Sequence, residues 1–345
     1  MVFRINPNHQ ALWRNPFEMQ LGLGQSQVVL KKLTPAQERL IAALYRGIAD
    51  QQLPAITKEL GLSKADSDSV LEQVGPIMLA ENPKLKSKIE LTPDFVAGAF
   101  AEIIRTSLMH AVDGEAVLIG RAGRSIHIED ISRTGLAIAQ GLAAAGVGHL
   151  ISHDEQQVQR ADLGPIAYPS QLLGRPRIDA LRTMLAASPN KAVVSTGKKI
   201  LEKQLQKIDC AVLIVQQAIE PRRYSHWANR DVPHIAVSFD TEFSSISPMI
   251  IPGQTACLFC LENMRTDQES NWPVLASQLI GSQKKFDDAA CQLFAAGVVI
   301  QKILARIDKV AGFEQSEENL SGYRMNSKTG EITEFVWPKH KACSC

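Results

Sequence analysis

The chain has 345 residues, 45% hydrophobic and 21% charged, with a net charge of +1. Its length allows two domains, each with its own core. The near-neutral charge excludes a global field steering the protein to nucleic acid or membrane. The first ten residues include Arg4, Asn6, Asn8, His9 and Gln10 and hold no apolar run of a secretory signal. Six cysteines in a chain this long are not a disulfide scaffold, so a reducing, cytoplasmic setting is expected.

In chain order, residues 15–31 read as a β-hairpin. Phe17, Met19, Leu21 and Leu23 alternate, Gly24-Gln25-Ser26 turns, and Val28-Val29-Leu30 follows. Thr34-Pro35-Ala36-Gln37 starts a helix with a capping residue, a first-turn proline and a back-reaching glutamine. Leu40, Ile41, Leu44 and Tyr45 line one face, and Gly47 ends it. A second helix carries Leu53, Ile56 and Leu60. A third opens at Ser63 with Val70, Leu71 and Val74 inward. Hairpin plus three short helices predicts a small winged-helix-like domain over residues 1–82.

Residues 83–111 read as a linker, Pro83 to Lys88, and a helix from Thr92-Pro93 with Val96, Phe100, Ile103, Ile104 and Leu108 on one stripe. From 112 to 345 strands and helices alternate. Strand candidates are Ala116–Ile119, Ser125–Ile128, His149–Ser152, Ala192–Ser195, Ala211–Val215 and Ile235–Phe239. The predicted fold class is α/β: the winged-helix-like α+β domain, then a Rossmann-like, mostly parallel sheet. The apolar stretch Ala289 to Ile307 is broken by Gln292, Gln301, Lys302 and Arg306, which predicts a core-facing helix and no membrane span.

The loop Glu129-Asp130-Ile131-Ser132-Arg133-Thr134-Gly135 lies between a strand and a helix, where an α/β protein keeps a G-x-G-x-x-G phosphate loop. In that register Asp130 and Ser132 hold the first two glycine positions, and only Gly135 remains. Glu129 and Asp130 put negative charge where a phosphate would sit. The Ser132 side chain blocks close approach of the backbone. Gly135 keeps the helix-packing role. The other glycine cluster, Gly120-Arg121-Ala122-Gly123, is expected to turn a hairpin, and such a turn cannot supply helix N–H groups to a phosphate.

Cys257-Leu258-Phe259-Cys260, placed in a loop, and Cys343-Ser344-Cys345 form two close pairs far apart in sequence. That is the pattern of a closed, structural four-thiolate zinc site at Cys257, Cys260, Cys343 and Cys345. The alternatives are a redox C-x-x-C and an untidy tail. Lys339, His340 and Lys341 would offset the charge of a zinc tetrathiolate. Cys210 and Cys291 read as buried core thiols.

Several of these segments together resemble the ubiquitin-activating (ThiF-type) superfamily. They are Leu136 to Gly164 with its Ala145-Gly146-Val147-Gly148 helix end, the Gly174-Arg175-Pro176-Arg177 turn, Pro252 to Cys260, and His340 to Cys345. The resemblance covers roughly residues 112–345. It implies adenylation of a C-terminal carboxylate with Mg-ATP, and pairing of two copies. Position by position, most of that equipment is absent. Pro165-Ile166 replaces an expected Arg-Gln pair, and Arg177 stands for the family lysine. Gln216-Gln217-Ala218 replaces the magnesium-holding aspartate, and Asp154 alone matches the ribose-binding acid. The expectation is a degenerate nucleotide site at Asp130, Ser132, Gly135, Asp154 and Arg177, with no catalytic residue and no ATP.

Residues 15–79 also look like the peptide-recognition domain of ThiF-like proteins that serve azole-forming (TOMM) ribosomal peptide biosynthesis. Those bind a precursor's leader peptide and present it to a YcaO-type cyclodehydratase. The resemblance implies a peptide strand added beside the third helix, with Val28, Val29, Leu30, Val70, Leu71 and Val74 as candidates. The bland alternative is that these six are core. Two rival functions remain: an ATP-dependent adenylating enzyme, and a helix-turn-helix DNA-binding regulator over Leu53 to Val74. Asp66, Asp68 and Glu72 against one lysine, Lys64, disfavour the regulator.

Overall fold

A computed structural model describes residues 2–82, 89–189, 192–196, 208–282, 284–313 and 321–345. The linker read at Pro83–Lys88 lies outside the described residues. The chain divides into two compact units. One is Met1–Lys86 with Val96–Leu118 and Gly312–Gln315; the other is Ser87–Phe95 with Ile119–Ala311 and Ser316–Cys345.

In the first unit β1 (Val2–Phe3) pairs with β5 (Ile48–Ala49). β2 (Ala11–Asn15), β3 (Glu18–Leu21) and β4 (Val28–Lys31) form an antiparallel sheet in that order. The hairpin is therefore two strands of a three-stranded sheet, with β3 in the middle and β4 at an edge. β2 escaped the sequence pattern because all five of its residues are exposed and none alternates. Three helices follow: α1 (Pro35–Arg46), α2 (Leu53–Glu59) and α3 (Lys64–Val74). α1 starts with a complete capping box. The Gln37 N–H donates to Thr34 Oγ1 at 3.3 Å and the Thr34 N–H donates to Gln37 Oε1 at 3.0 Å. It ends at Gly47, whose φ of 91° a side chain would strain. Leu21, Leu30, Leu40, Leu44, Val70 and Val74 meet in one core.

The single helix expected from Thr92 is two: α4 (Pro93–Gly98) and α5 (Phe100–His110). The break after Gly98 resets the register, so Phe100 and Leu108 are exposed and Thr106, Ser107 and His110 are buried. The strand expected at Ala116–Ile119 is also overturned. It lies in α6 (Gly114–Ala122), which begins where Asp113 Oδ1 accepts the Glu115 N–H at 3.1 Å. A four-residue apolar run has no periodicity to separate strand from helix. The hairpin read into Gly120–Gly123 disappears with that strand.

The second unit carries an eight-stranded sheet. β6 (Ser125–Ile128), β7 (His149–Ser152), β8 (Val193–Thr196), β9 (Cys210–Gln216) and β10 (His234–Phe239) are its parallel part. β11 (Phe243–Ile246), β12 (Gly322–Asn326) and β13 (Ile332–Phe335) extend it antiparallel. The spatial order is β13-β12-β11-β10-β9-β6-β7-β8. The chain thus builds outward from β6 to β8, then restarts at β9 on the other side. That reversal between β6 and β9 is the switch point where α/β sheets open a crevice. One face of the sheet packs on α7 (Arg133–Ala144), α8 (Arg177–Ala186) and α12 (Ala289–Ala311), and the other on α9 (Pro221–Ala228) and α10 (Leu258–Gln268). Between α10 and α12 in the chain lies α11 (Trp272–Leu279). α12 is long and apolar enough to cross a membrane by length and composition. Half of its apolar window is nevertheless buried, as are its Gln292, Lys302 and Asp308.

Candidate functional site

A cleft of about 1110 Å³ opens at the carboxyl ends of β6 and β9, bounded by Glu129, Asp130, Ser132, Arg177, Gln216 and Asp287 among others. α7 starts at its floor. Gly135 is required there, since a Cβ would fall 1.7 Å from the Asp130 carbonyl oxygen. The same Cβ would lie 3.1 Å from the Ile214 Cδ1 of β9.

The groups that would face a phosphate are occupied from within. Asp130 Oδ1 accepts the Ser132 N–H at 2.6 Å, and Asp154 Oδ2 accepts the Ile131 N–H at 3.1 Å. In the first turn of α7, Thr134 Oγ1 donates to Asp287 Oδ2 at 2.8 Å. Gln216, at the end of β9, donates from Nε2 to Asp287 Oδ1 at 3.2 Å and accepts the Phe286 N–H at 3.0 Å. The positive end of the helix dipole thus meets a protein carboxylate. Gln216 stands where the resemblance expects a magnesium-holding aspartate. Its amide complements Asp287, whereas a carboxylate there would repel it.

Arg177 and Asp154 are brought together, but not as free binding groups. Arg177 is 3% exposed. It donates to Asp162 Oδ2 at 2.8 Å and to Asp154 Oδ2 at 3.0 Å, and lies 3.7 Å from Asp130. Burial alone would lower the Arg177 pKa; the carboxylates of Asp154, Asp162 and Asp130 reverse that and raise it. Asp154 uses its other oxygen for the Gln156 N–H at 2.9 Å. Tyr168 closes the arrangement by donating to the Ile131 carbonyl at 2.7 Å, and burial raises its pKa. Sequence reading missed Asp287, Thr134 and Tyr168 as parts of this site.

The four cysteines converge. Their sulfurs all lie within 4.8 Å of one another. Cys257 is 3.8 Å from Cys260 and 3.6 Å from Cys343, and Cys260 is 3.4 Å from Cys345. Four thiolates on a tetrahedral ion at ~2.3 Å put their sulfurs about 3.8 Å apart, so the donor set and spacing fit one closed metal site. One expectation is corrected: the C-x-x-C is not wholly in a loop. Cys257 is the N-cap of α10 and Cys260 sits in its first turn, which directs both sulfurs to one side. Cys210 and Cys291 are buried.

The six peptide-site candidates divide. Leu30, Val70 and Val74 are core residues at 2% exposure or less, while Val28, Val29 and Leu71 are half-buried. β4 is an edge of its sheet. The Gly22 N–H donates to the Gln10 carbonyl, which fixes the alternation across β3. Met19 and Leu21 then bond to Leu30 and Val28 in the register of the β3–β4 pair. The backbone N–H and C=O groups of Val29 and Lys31 are left pointing outward.

No protein-family model and no curated protein matches the sequence. Solved structures do share its α/β fold. Escherichia coli MccB, solved with ATP, is 14% identical over 100% of this chain and 99% of that one, with a TM-score of 0.69. The microcin C7 biosynthetic enzyme MccB in complex with N-formylated MccA is 13% identical at the same coverage, with a TM-score of 0.68. PaaA is 17% identical over 95% of this chain and 98% of that one, with a TM-score of 0.68. At these identities the likeness is one of fold.

Proposed function

We propose that this chain is a non-catalytic ThiF-type scaffold that binds a precursor peptide and presents it to a partner modification enzyme. The peptide adds as a strand at β4, through the outward backbone groups of Val29 and Lys31, with Val28 and Leu71 contacting its side chains. The first unit serves as the winged-helix-like recognition domain. The pathway implied by the resemblance is azole formation on a ribosomal peptide, with a YcaO-type cyclodehydratase using ATP itself. A structural zinc at Cys257, Cys260, Cys343 and Cys345 fastens the C-terminal tail to α10; a filled four-thiolate shell supplies no open position for chemistry. Two copies pair, as the resemblance implies. MccB was solved with MccA bound, which is in keeping with a peptide partner for this fold.

One observation carries the non-catalytic reading: the donors at the start of α7 are bonded to Asp130, Asp154 and Asp287. A triphosphate would have to displace carboxylates and then sit among them. Like charges at that range repel by a few kcal/mol at an effective dielectric near ~20. The second reading, an ATP-dependent adenylating enzyme, is favoured by the size of the cleft and by the MccB structure with ATP. Calorimetric titration of Mg-ATP into the zinc-loaded protein separates the two. The scaffold gives no binding heat at millimolar ATP. Micromolar binding would overturn it in favour of the adenylating enzyme.

A further inference from the structure

The open edge of β4 has a neighbour that bears on what can pair with it. α3 packs against both α1 and β4. Its Ser67, Val70 and Val74 are buried. Val70 and Leu71 lie on either side of that buried stripe, and only Leu71 is left partly open. Val28 on β4 is half-buried too, and both pack against the core of the first unit. The open side of the helix is thus the side of the open strand. Asp68 and Glu72, at i and i+4, form the stripe next to Leu71 on that side, and both are exposed.

Neither carboxylate has a hydrogen-bond or ion-pair partner among the described residues. Like charges at i and i+4 repel. Glu72 also sits in the last turn of α3, which carries no basic residue. A carboxylate there opposes the helix dipole, and a cation would complement it. The cations of these two elements do not supply one. Lys31 stands opposite Glu18 across the sheet, and alternation puts it on the other face from Leu30. Lys64, a turn before Asp68, forms no ion pair with it among the described residues.

Resting on strand addition at β4, we propose that the site selects a peptide strand with a lysine or arginine on its α3-facing side, two residues from an apolar side chain. The unpaired N–H and C=O groups of Val29 and Lys31 call for a strand, and Asp68 and Glu72 decide which strand. Successive side chains on one face of a strand are about 6.8 Å apart. Asp68 and Glu72 are about 6 Å apart along the helix axis. One step on the inward face therefore spans the stripe: the apolar side chain meets Val28 and Leu71, and the cation meets the two carboxylates. An acidic residue at that step is repelled.

The test is fluorescence anisotropy of the full-length, zinc-loaded protein with three dye-labelled probes, TLTKTLTKT, TLTQTLTQT and TLTETLTET. In each, the leucines and the varied residue share one face. The lysine probe should bind at least fivefold tighter than the glutamine probe, and the glutamate probe should bind more weakly than either. Asp68→Asn with Glu72→Gln, at exposed positions, should bring the lysine probe down to the glutamine probe without lowering the unfolding midpoint. Glu72→Lys should invert the order of the lysine and glutamate probes. Equal binding of all three probes, lost for all in Val29→Pro, overturns the charge selection and leaves strand addition at β4 standing. A lysine advantage that survives Val29→Pro overturns it as well, because the attraction is then not made by a strand on β4. Absence of saturable binding of any probe at 1 mM overturns both.

Discussion

The Asp287 carboxylate accepts the Thr134 hydroxyl at 2.8 Å across 153 residues of sequence, with both side chains buried. A protein carboxylate therefore occupies the first turn of α7, on the helix end that in nucleotide-binding α/β proteins meets a phosphate. Gln216 holds the same carboxylate from the other side. Asp287→Ala should strip the partner from both the hydroxyl and the amide. The expected loss is about 1–3 kcal/mol, the cost of leaving buried polar groups unpaired. Urea unfolding reads it as a lowered midpoint with an unchanged slope; an unchanged midpoint would mean that Asp287 does not hold this end of the cleft.

Arg177 makes a sharper case. It compensates two buried carboxylates, Asp154 and Asp162. Arg177→Met removes the only cation within 4 Å of either among the described residues. Breaking a buried pair from one side costs about 3–5 kcal/mol. Arg177→Lys should recover only part of that loss, because a compact ammonium cannot bridge both carboxylates as a planar fork does. Equal stability of the lysine variant and the parent would refute the structural role assigned to the fork.

The cysteine quartet predicts one zinc per chain, released stoichiometrically when the thiols are modified. Cys345→Ser should weaken metal retention and free the tail, seen as faster proteolysis after Trp337. A metal content near zero in protein purified without chelator would dismiss the zinc reading.

Legibility in the sequence followed the range of the interactions. The α1 capping box, the Ser63 cap and the parallel strands from Ser125 onward were readable because each is set by residues a few positions apart. The cysteine pairs were readable because cysteines are few and closely spaced within each pair. Asp287 with Thr134 and Gln216 was not, since no local pattern links residues 71 to 153 positions apart. Asp154 and Arg177 were found as positions, but their meaning changed. Motif matching reads them as members of a degenerate nucleotide site, and the coordinates place them against each other. The strand read at Ala116–Ile119 failed for the opposite reason: the run is too short for local periodicity to decide.

The peptide reading is tested by Val29→Pro. The Val29 N–H points to the open edge, so proline there removes a donor to an incoming strand and none to β3. Affinity for the precursor peptide should fall at least tenfold, with the unfolding midpoint nearly unchanged. A variant that binds as well as the parent would move the peptide off β4.

His127 gives the last prediction, a pH dependence. It is 1% exposed; Trp227's ring lies 4.5 Å away, and its Nε2 is 2.6 Å from His153 Nδ1. Its Nδ1 has no partner among the described residues. Burial, then the charges of His153 and His226, lower its pKa to about 3. In the unfolded chain it titrates near ~6.5. Between those values the unfolded state binds a proton that the folded state refuses. The folded protein therefore keeps this contribution above about pH 6.5 and loses it as pH falls toward 3. The slope is at most about 1.4 kcal/mol per pH unit from this one group. Unfolding midpoints at pH 7, 6 and 5 should fall more steeply for the parent than for His127→Phe, which has no proton to refuse. Parallel pH curves for the two proteins would show that His127 is not held neutral in this stack.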